Sequence, residues 1–396
     1  MADLEERNDA IRLALYPSAH GLGHFMRIVH LAQMLHETGG KRQAKYLLFI
    51  RTNVNKGVRE SLQAGWSHVG VVTFSSYEFP IQPSVVQKNP YTLSTSQTWD
   101  AVRKFDANAA VEQEERFVKD NGIQIIISDC PSIPCVLNVP SLLVTNFTFD
   151  TILQGLLATQ KIDPAQSEDI ADIRAFIQDM TDQYQKADAL IRMRGEIHMP
   201  YNGRTVDIPA HFRHAESSKT DTLEALNIPE LLQPGRKILL HCFGGQPQND
   251  TYTRIPQLPP QWVCLSQTIH APPHFYAIKK DAHIPDLIAA SDAVLGKLGW
   301  GMCSEVIGNG YKPFIFVPRS AFLEEEGLVK WMQKDHRRLV RMEVNVFEAM
   351  EWEDAILQAE ALAGPQDTDV TAEGWKCKEE ELVNIVDGEV MRLLGR

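Results

Sequence analysis

Apolar residues recur along the chain in short runs, and most runs end in a glycine or a polar turn followed by a segment with helical periodicity. The first run, residues 11–16, leads into the turn 17–24, and one helix face follows at the spacing of Ile28, Leu31 and Leu35. Alternation of strands and helices favours an α/β fold built on parallel sheets. Such sheets bind ligands at the carboxyl ends of their strands, so the residues after each apolar run are the first functional candidates.

The same patterns predict the remaining elements. Strands are predicted over residues 46–50, 69–74, 123–128, 141–146, 189–193, 237–243, 262–266, 293–295, 314–317 and 338–342. Helices are predicted over residues 54–64, 99–120, 284–290, 302–309, 344–362 and 372–394, with one or two more within 152–186. Residues 74–98 lack periodicity and are rich in Pro, Ser and Gln, which is typical of a binding loop or lid.

Chain length and a change in composition indicate two domains. At 396 residues the chain exceeds one ordinary core, and its composition turns polar around residues 204–231. We therefore predict two doubly wound, Rossmann-like α/β domains, residues 1–215 and 216–371, facing a central cleft. Residues 372–396 are predicted to form a C-terminal helix that packs back on the first domain.

Composition and charge narrow the classes of partner. The net charge of −12 disfavours nucleic acid, whose phosphates select basic surfaces. The N-terminus lacks the apolar core of a signal, and no apolar run approaches the ~20 residues of a membrane span, so a cytoplasmic protein without an integral membrane segment is expected. The six cysteines lack metal-site spacing and favour free thiols. No metal site is predicted at His20 and His24 either, because the glycines between them interrupt a helix.

The most informative polar residues stand at the ends of the predicted strands. His24 follows Gly23 at the start of the first helix, where its side chain would face the cleft. The turn is not the dinucleotide fingerprint, because Met26 stands where a third glycine is needed. Asp129 follows the strand 123–128 at the same edge, and a helix N-cap is the alternative interpretation of this aspartate. Asn146, at the end of the next strand, belongs to this edge as well.

Residues 291–326 carry a corresponding pattern in the second half. A short apolar run is followed by a turn with Gly296, Gly299 and Gly301 around Lys297, and then by a helix-like segment. Glycines let a backbone approach a ligand closely, and a helix start offers unpaired N–H groups to a phosphate. With carboxylates farther along, the stretch suits a phosphorylated, hydroxyl-rich ligand. An ordinary βαβ unit with a tight turn is the alternative.

Two such halves resemble the GT-B fold of nucleotide-sugar glycosyltransferases, and residues 291–326 are similar to the donor box of family 1 UDP-glycosyltransferases. That box combines a histidine, Cys-Gly-Trp and a glutamate five residues after the tryptophan. This chain has Trp300 and Glu305 at that spacing, with Lys297 in place of the histidine and Gly301 in place of an asparagine. Glu324 and Glu325 lie within a few residues of the place where the family has an Asp-Gln pair for the sugar hydroxyls.

Five segments resemble, in the same order, the N-terminal glycosyltransferase-like region of L-arabinokinases, across about residues 11–335. They are residues 20–24 with Arg27, residues 128–129, residues 145–150, residues 285–292 and residues 296–305. The sequence contains no phosphate loop like that of the sugar kinase half, so kinase activity is not expected.

The resemblance implies an inverting, metal-independent glycosyltransferase that moves a hexosyl or pentosyl group from a nucleotide sugar, with UDP favoured, to a small-molecule acceptor. No cofactor is implied beyond this co-substrate. His24 would be the general base and Asp129 its carboxylate partner. The implied donor-site residues are Gly23, Gly244, Gly245, Lys297, Gly299, Trp300, Gly301, Ser304, Glu305, Arg319, Glu324 and Glu325, and the implied acceptor-site residues are Phe79, Asn146, Phe147 and Phe149. Two alternatives stay open: a nucleotide-sugar-binding or regulatory protein without transferase activity, and a nucleotide-sugar epimerase.

Overall fold

The computed structural model describes residues 10–18, 20, 22–38, 45–54, 72–83, 85–159, 167–244, 254–279, 282–363 and 372–396. The predicted helix 54–64 lies outside the described residues except for its first residue, and Gly245 also lies outside them.

The first half of the chain forms a parallel sheet of seven strands in the order β3-β2-β1-β6-β7-β8-β9. In chain order the strands are β1 (Ile11–Pro17), β2 (Tyr46–Arg51), β3 (Val72–Ser75), β4 (Gln87–Asn89), β5 (Thr92–Leu93), β6 (Ile125–Asp129), β7 (Ser141–Thr145), β8 (Ala189–Arg192) and β9 (Thr205–Asp207), of which β4 and β5 form a separate hairpin. β6 and β7 are buried along their whole length, as expected for parallel strands covered by helices on both faces.

The second half repeats this architecture with a parallel sheet of six strands in the order β12-β11-β10-β13-β14-β15. Its strands are β10 (Lys237–His241), β11 (Trp262–Ser266), β12 (Phe275–Ala277), β13 (Ala293–Gly296), β14 (Phe314–Phe316) and β15 (Leu339–Arg341). In each sheet the strand order reverses beside the first strand, between β1 and β6 and between β10 and β13. These are the switch points at which open α/β sheets form their binding crevices. The predicted α/β class with two parallel, Rossmann-like sheets is confirmed.

The helices lie between the strands, as the alternating pattern predicts. They are α1 (Leu22–Thr38), α2 (Thr95–Arg103), α3 (Ala107–Asn121), α4 (Phe149–Ala158), α5 (Ser167–Tyr184), α6 (Lys219–Leu226), α7 (Ile284–Ala290), α8 (Trp300–Gly308), α9 (Glu324–Trp331), α10 (Val344–Glu348), α11 (Glu353–Leu362) and α12 (Ala372–Leu393). No helix among the described residues is long and apolar enough to cross a membrane. All six cysteines are free thiols, as predicted.

Two predicted helices are each divided in the structure. Residues 99–120 fall into α2 and α3, because the chain leaves the helix before Asp106, whose carboxylate accepts the backbone N–H of Ala109 and starts a new one. Residues 344–362 fall into α10 and α11, with Met350 between them at a φ of +63°. The sequence patterns do not predict β9, β12, α6 or α9, nor the hairpin of β4 and β5 within the expected loop 74–98. These elements are short or lie in polar stretches.

The C-terminal helix α12 lies against α1 and is tied to the first half by polar contacts. Tyr46 donates a hydrogen bond to Asp387, and Arg204 Nη2 lies 2.7 Å from Glu389 Oε1. Because Tyr46 begins β2 and Arg204 precedes β9, these contacts anchor α12 at both sides of the first sheet.

Candidate functional site

The structure brings His24 and Asp129 together at the carboxyl edge of the first sheet. His24 lies in the first turn of α1 and Asp129 ends β6, and His24 Nδ1 is 3.1 Å from Asp129 Oδ2. Both side chains are buried. Asp129 is not a helix N-cap, because Ser132 and not Asp129 occupies the N-cap position of the short 3₁₀ turn that follows.

Arg27 completes this cluster, and sequence reasoning assigned it no role. Its Nε lies 2.6 Å from Asp129 Oδ2, its Nη2 donates to Asp129 Oδ1, and its Nη1 donates to Asn146 Oδ1 at 2.8 Å. Arg27 also places Nη2 2.9 Å from His24 Nδ1. A signal was present in the sequence, because an arginine three residues after His24 lies on the same helix face.

Charges in the cluster compensate one another. Burial alone would raise the pKa of Asp129, but the cationic Arg27 and then His24 outweigh it and hold that pKa well below its usual range. Asp129 is therefore a carboxylate under all ordinary conditions. The guanidinium of Arg27 forms a two-bond fork with it, which is the strongest geometry available to an arginine and a carboxylate.

A chain of hydrogen bonds leads from this cluster into the second half. Asn146 Nδ2 donates to Glu324 Oε1 at 3.2 Å, and Arg319 Nη2 donates to Glu324 Oε2 at 3.0 Å. The backbone N–H of Arg319 in turn donates to Glu325 at 3.0 Å. The two glutamates and Arg319, assigned to the donor site from the sequence, are thus paired with one another and with Asn146, which was assigned to the acceptor side.

Lys297 is the basic side chain of the glycine turn after β13. Among the described carboxylates none lies within ion-pair distance of its ammonium group, although Glu324 and Glu325 are near enough to act on it electrostatically. Burial, reinforced by the cationic Arg319, lowers the pKa of Lys297 to about 7. A half-charged ammonium without a carboxylate partner is well suited to receive an anion.

The glycines assigned to the donor site have free space beside them. At Gly23, Gly244, Gly299 and Gly301 a Cβ atom would meet no heavy atom within 4 Å. At Gly296, in contrast, it would meet the carbonyl oxygen of Cys242 at 2.3 Å, so this glycine packs against the neighbouring strand. Gly23 and Gly301 lie in the first turns of α1 and α8, and Gly299 is the N-cap of α8, where helix N–H groups are available to a phosphate.

Other predicted donor residues have partners within the protein. Trp300 donates from its indole nitrogen to the Arg194 carbonyl at 2.8 Å, and Arg27 lies over its ring at 5.4 Å, so Trp300 joins the two halves. Ser304 donates to the Gly301 carbonyl at 3.0 Å. Glu305 Oε1 accepts a hydrogen bond from Arg213 Nε at 2.7 Å, a partner that sequence reasoning did not identify.

The aromatic residues assigned to the acceptor side fall into two groups. Phe147 and Phe149 are buried beside the cluster, with the ring of Phe147 edge-on to His24 at 5.4 Å. Phe79 is 37% exposed and its backbone N–H is bonded to Gln113. Phe147 therefore walls His24, and Phe149 packs against Phe147 and against His20, whereas Phe79 lies on the surface.

His20 lies between the rings of Phe149 and Phe322, close to the His24 cluster, although no role was assigned to it. Its ring stacks on Phe322 at 5.2 Å, and its Nε2 is buried without a hydrogen-bond partner in the part of the chain that the structure describes. Burial, together with His24, Lys297 and Arg319, lowers the pKa of His20 well below its usual value, so the ring is neutral.

Three ligand atoms that could hold a metal ion, from His24, Asp129 and Cys130, lie within 4.8 Å of one another. Arg27 Nη2 already lies among them, bonded to Asp129 and His24 and 4.0 Å from Cys130 Sγ. Burial raises the pKa of Cys130 well above its usual value, which leaves a thiol and not the thiolate that binds metals. A metal ion would have to displace the guanidinium, and the residues do not fit one.

Comparison with solved structures shows which proteins share this fold. The glycotransferase of kitacinnamycin superposes with a TM-score of 0.58 at 14% identity, covering 98% of this chain and 99% of the other. The calicheamicin glycosyltransferase CalG4 superposes at 0.57 and 13% identity, covering 98% and 99%. UGT89C1 of Arabidopsis thaliana, solved in complex with UDP, superposes at 0.52 and 11% identity, covering 96% and 99%.

Sequence comparison finds a different kind of relative. L-arabinokinase of Arabidopsis thaliana is 28% identical over 331 residues, which are 79% of this chain and 28% of that protein. The chain thus spans little more than a quarter of the length of the curated relative it matches. No family model matches the chain. The chain therefore has the GT-B fold of the glycosyltransferases that superpose on it, and its sequence is similar to part of L-arabinokinase.

Proposed function

We propose that this protein is an inverting glycosyltransferase that moves a sugar from a nucleotide diphosphate sugar, with UDP favoured, to a small-molecule acceptor. The single observation that carries the proposal is the pairing of His24 with the ionised Asp129 at the carboxyl edge of the first sheet, in a cluster whose Arg27 lies over the ring of Trp300 at the start of α8. The GT-B neighbours, one solved with UDP, support this substrate class.

His24 takes the proton from the acceptor hydroxyl as that oxygen attacks the anomeric carbon of the donor. A neutral imidazole whose Nδ1 hydrogen bonds to Asp129 offers the lone pair of Nε2 to this proton. The carboxylate then stabilises the imidazolium that forms. Phe147 keeps water away from the reacting oxygen, because its buried ring lies edge-on to His24, and Phe149 packs against Phe147.

The departing nucleoside diphosphate gains negative charge as the glycosidic bond breaks. Lys297 supplies a cation that forms no ion pair with any carboxylate in the part of the chain that the structure describes. Gly299 at the N-cap of α8 and Gly301 in its first turn offer N–H groups with free space beside them. Preorganised donors of this kind stabilise a leaving group without a metal ion. Glu305, held by Arg213, accepts the ribose hydroxyls.

The test is product formation with a panel of UDP-sugars and hydroxyl-bearing acceptors, followed by chromatography of glycosylated acceptor and free UDP. Replacing His24 by Gln should lower turnover about 10²–10⁴-fold, the usual contribution of a general base, and leave UDP affinity unchanged. His36→Gln on the same helix, partly buried at its far end, is the matched control and should keep wild-type turnover. Unchanged turnover in the His24 variant would refute the base assignment.

A second candidate function is the binding of a nucleotide sugar without transfer. The observation that favours it is the pair of hydrogen bonds that Arg27 donates to Asp129, the carboxylate that a histidine base would use. Similarity to a part of L-arabinokinase is also compatible with a companion or regulatory role. Under this hypothesis a UDP-sugar binds and is recovered intact with every acceptor, whereas an epimerase would release a new sugar nucleotide without any acceptor.

A further inference from the structure

His24 Nδ1 has two neighbours that require opposite protonation states of this nitrogen. Arg27 Nη2 lies 2.9 Å away, and a guanidinium can only donate. Asp129 Oδ2 lies 3.1 Å away, and an ionised carboxylate can only accept. Nδ1 therefore accepts from Arg27 when it is unprotonated and donates to Asp129 when it carries a proton.

We propose that Arg27 is a positioning residue that sets the balance between the two tautomers of His24, holding the resting site in the form with the proton on Nε2. In this form the imidazole presents an N–H to the cleft and no lone pair, so it is a hydrogen-bond donor and not a base. The consequence for transfer rests on the proposed function, whereas the tautomer itself does not.

The geometry favours the Nε2–H form because both carboxylate oxygens of Asp129 already accept hydrogen bonds from Arg27. Arg27 donates to both carboxylate oxygens, through Nε at 2.6 Å and through Nη2. A further donor from Nδ1 adds less to a carboxylate that has a buried guanidinium fork. The second hydrogen of Nη2, by contrast, has Nδ1 as its nearest acceptor.

The second form is within reach because Nη2 has an alternative acceptor. Thr145 Oγ1 lies 3.4 Å from Arg27 Nη2, and its own hydrogen is used in a bond to the Phe147 carbonyl at 2.8 Å. The same oxygen also lies 3.0 Å from Cys130 Sγ and 3.4 Å from the Phe147 backbone nitrogen. The Cys130 thiol can donate to Asp129 Oδ1 or to the Phe147 carbonyl instead. A lone pair of Thr145 can therefore receive the hydrogen that Nη2 withdraws from Nδ1. Nδ1 then takes a proton from solvent water and bonds to Asp129, while Nε2 gives its proton back to water. The imidazole stays neutral, and Nε2 gains the lone pair that a base requires.

The test is a long-range ¹H–¹⁵N correlation spectrum of ¹⁵N-histidine-labelled protein at alkaline pH, where imidazoles are neutral. The His24 signals are assigned by their loss in His24→Gln. We expect the wild-type spectrum to show an unprotonated Nδ1. Arg27→Lys keeps the charge but has one nitrogen in place of the fork, so its His24 signals should shift to a protonated Nδ1. A protonated Nδ1 in the wild type, or no shift in Arg27→Lys, would overturn the proposal.

Thr145→Val and Thr145→Ser keep the test decisive if Arg27→Lys does not fold. Valine removes the alternative acceptor, so the averaged His24 shifts should move further toward the Nε2–H form, whereas serine, which retains the hydroxyl, should move them less. Equal shifts in both variants would contradict the role of Arg27. These spectra need no sugar acceptor, so they test the tautomer of His24 independently of the proposed function. A protein that transfers no sugar can still show the expected shifts, and an active transferase can still lack them.

Discussion

At the scale of single residues, the site depends on charges that are buried and paired. Arg27 and Asp129 have side chains that are 4% and 0% exposed, so neither ion can regain its hydration if the other is lost. Breaking such a pair by removing one partner is far more costly than breaking a pair at the surface. Another Arg–Asp pair, Arg192 with Asp207, is 38% and 62% exposed and offers the comparison.

Asp129→Asn should lower the free energy of unfolding by about 3–5 kcal/mol, because it leaves Arg27 buried without an anion. Asp207→Asn should cost less than about 1 kcal/mol, because water screens the exposed pair. Urea denaturation at neutral pH measures both, and similar losses would contradict the assignment of a buried pair.

The same substitution has a pH signature. The pKa of Asp129 is lower in the folded protein than in the unfolded chain, so its stabilising contribution is fully present above the unfolded value of about 4. The contribution is lost as the pH falls through that value toward the folded pKa. Asp129→Asn should therefore flatten the acid side of the stability profile, and a profile parallel to that of the wild type would argue against the ion pair.

At the scale of elements, the strands could be predicted because each is a short apolar run that ends in a turn. β6 and β7 match the predicted strands to within two residues, and the residues that follow them reach the same edge. The helix breaks were missed because the periodicity of α2 continues across residues 104–106 into α3. The N-cap at Asp106 was a readable local signal, since aspartate there accepts a backbone N–H.

Asp106→Ala should therefore cost about 1 kcal/mol of unfolding free energy by removing this cap, whereas Asp106→Asn should cost a few tenths, because asparagine caps nearly as well. The urea midpoints of the two variants measure the difference. An alanine variant as stable as the asparagine variant would show that the carboxylate does not cap α3.

At the scale of the whole molecule, the two halves meet through contacts that no local pattern announces. Asn146 and Glu324 are separated by 178 residues, and Trp300 reaches the Arg194 carbonyl across 106. The local patterns indicate that each group lies near a strand end, but they do not show which groups bond one another and which stay open to a ligand. For that reason the sequence predicts donor-site roles for Arg319, Glu324 and Glu325, but it does not predict that these residues pair with one another.

The contact between α9 and the end of the first sheet is close-packed. A Cβ at Gly327 would lie 2.5 Å from the Gly195 carbonyl oxygen and 2.6 Å from that of Glu196, and a backbone cannot turn aside as a side chain can. Gly327→Ala should therefore cost about 1–3 kcal/mol. It should also weaken UDP binding by separating the halves.

Gly388→Ala in α12 is the control for this substitution, because a Cβ there meets nothing within 4 Å. It should stabilise the protein by about 0.5–1 kcal/mol, the usual gain of alanine over glycine within a helix. Thermal unfolding and UDP titration of both variants decide the point, and equal effects would contradict close packing at Gly327.

The most direct test of whether the cleft binds a nucleotide diphosphate is the dissociation constant of UDP. It is determined by calorimetry for the wild type, Lys297→Met and Lys312→Met. Burial lowers the pKa of both lysines, but only Lys297 follows β13 at the open glycine turn. If the cleft takes a nucleotide diphosphate, Lys297→Met should weaken UDP about 10–100-fold, the value of a hydrogen bond from a charged group, and Lys312→Met should leave it within about twofold.

The pH dependence sharpens this measurement, because the pKa of Lys297 is about 7 and its ammonium form is lost as the pH rises. Wild-type affinity for UDP should therefore fall as the pH is raised above 7, and this fall should be absent in Lys297→Met. Failure of the wild type to bind UDP, or equal losses in the two lysine variants, would contradict the account.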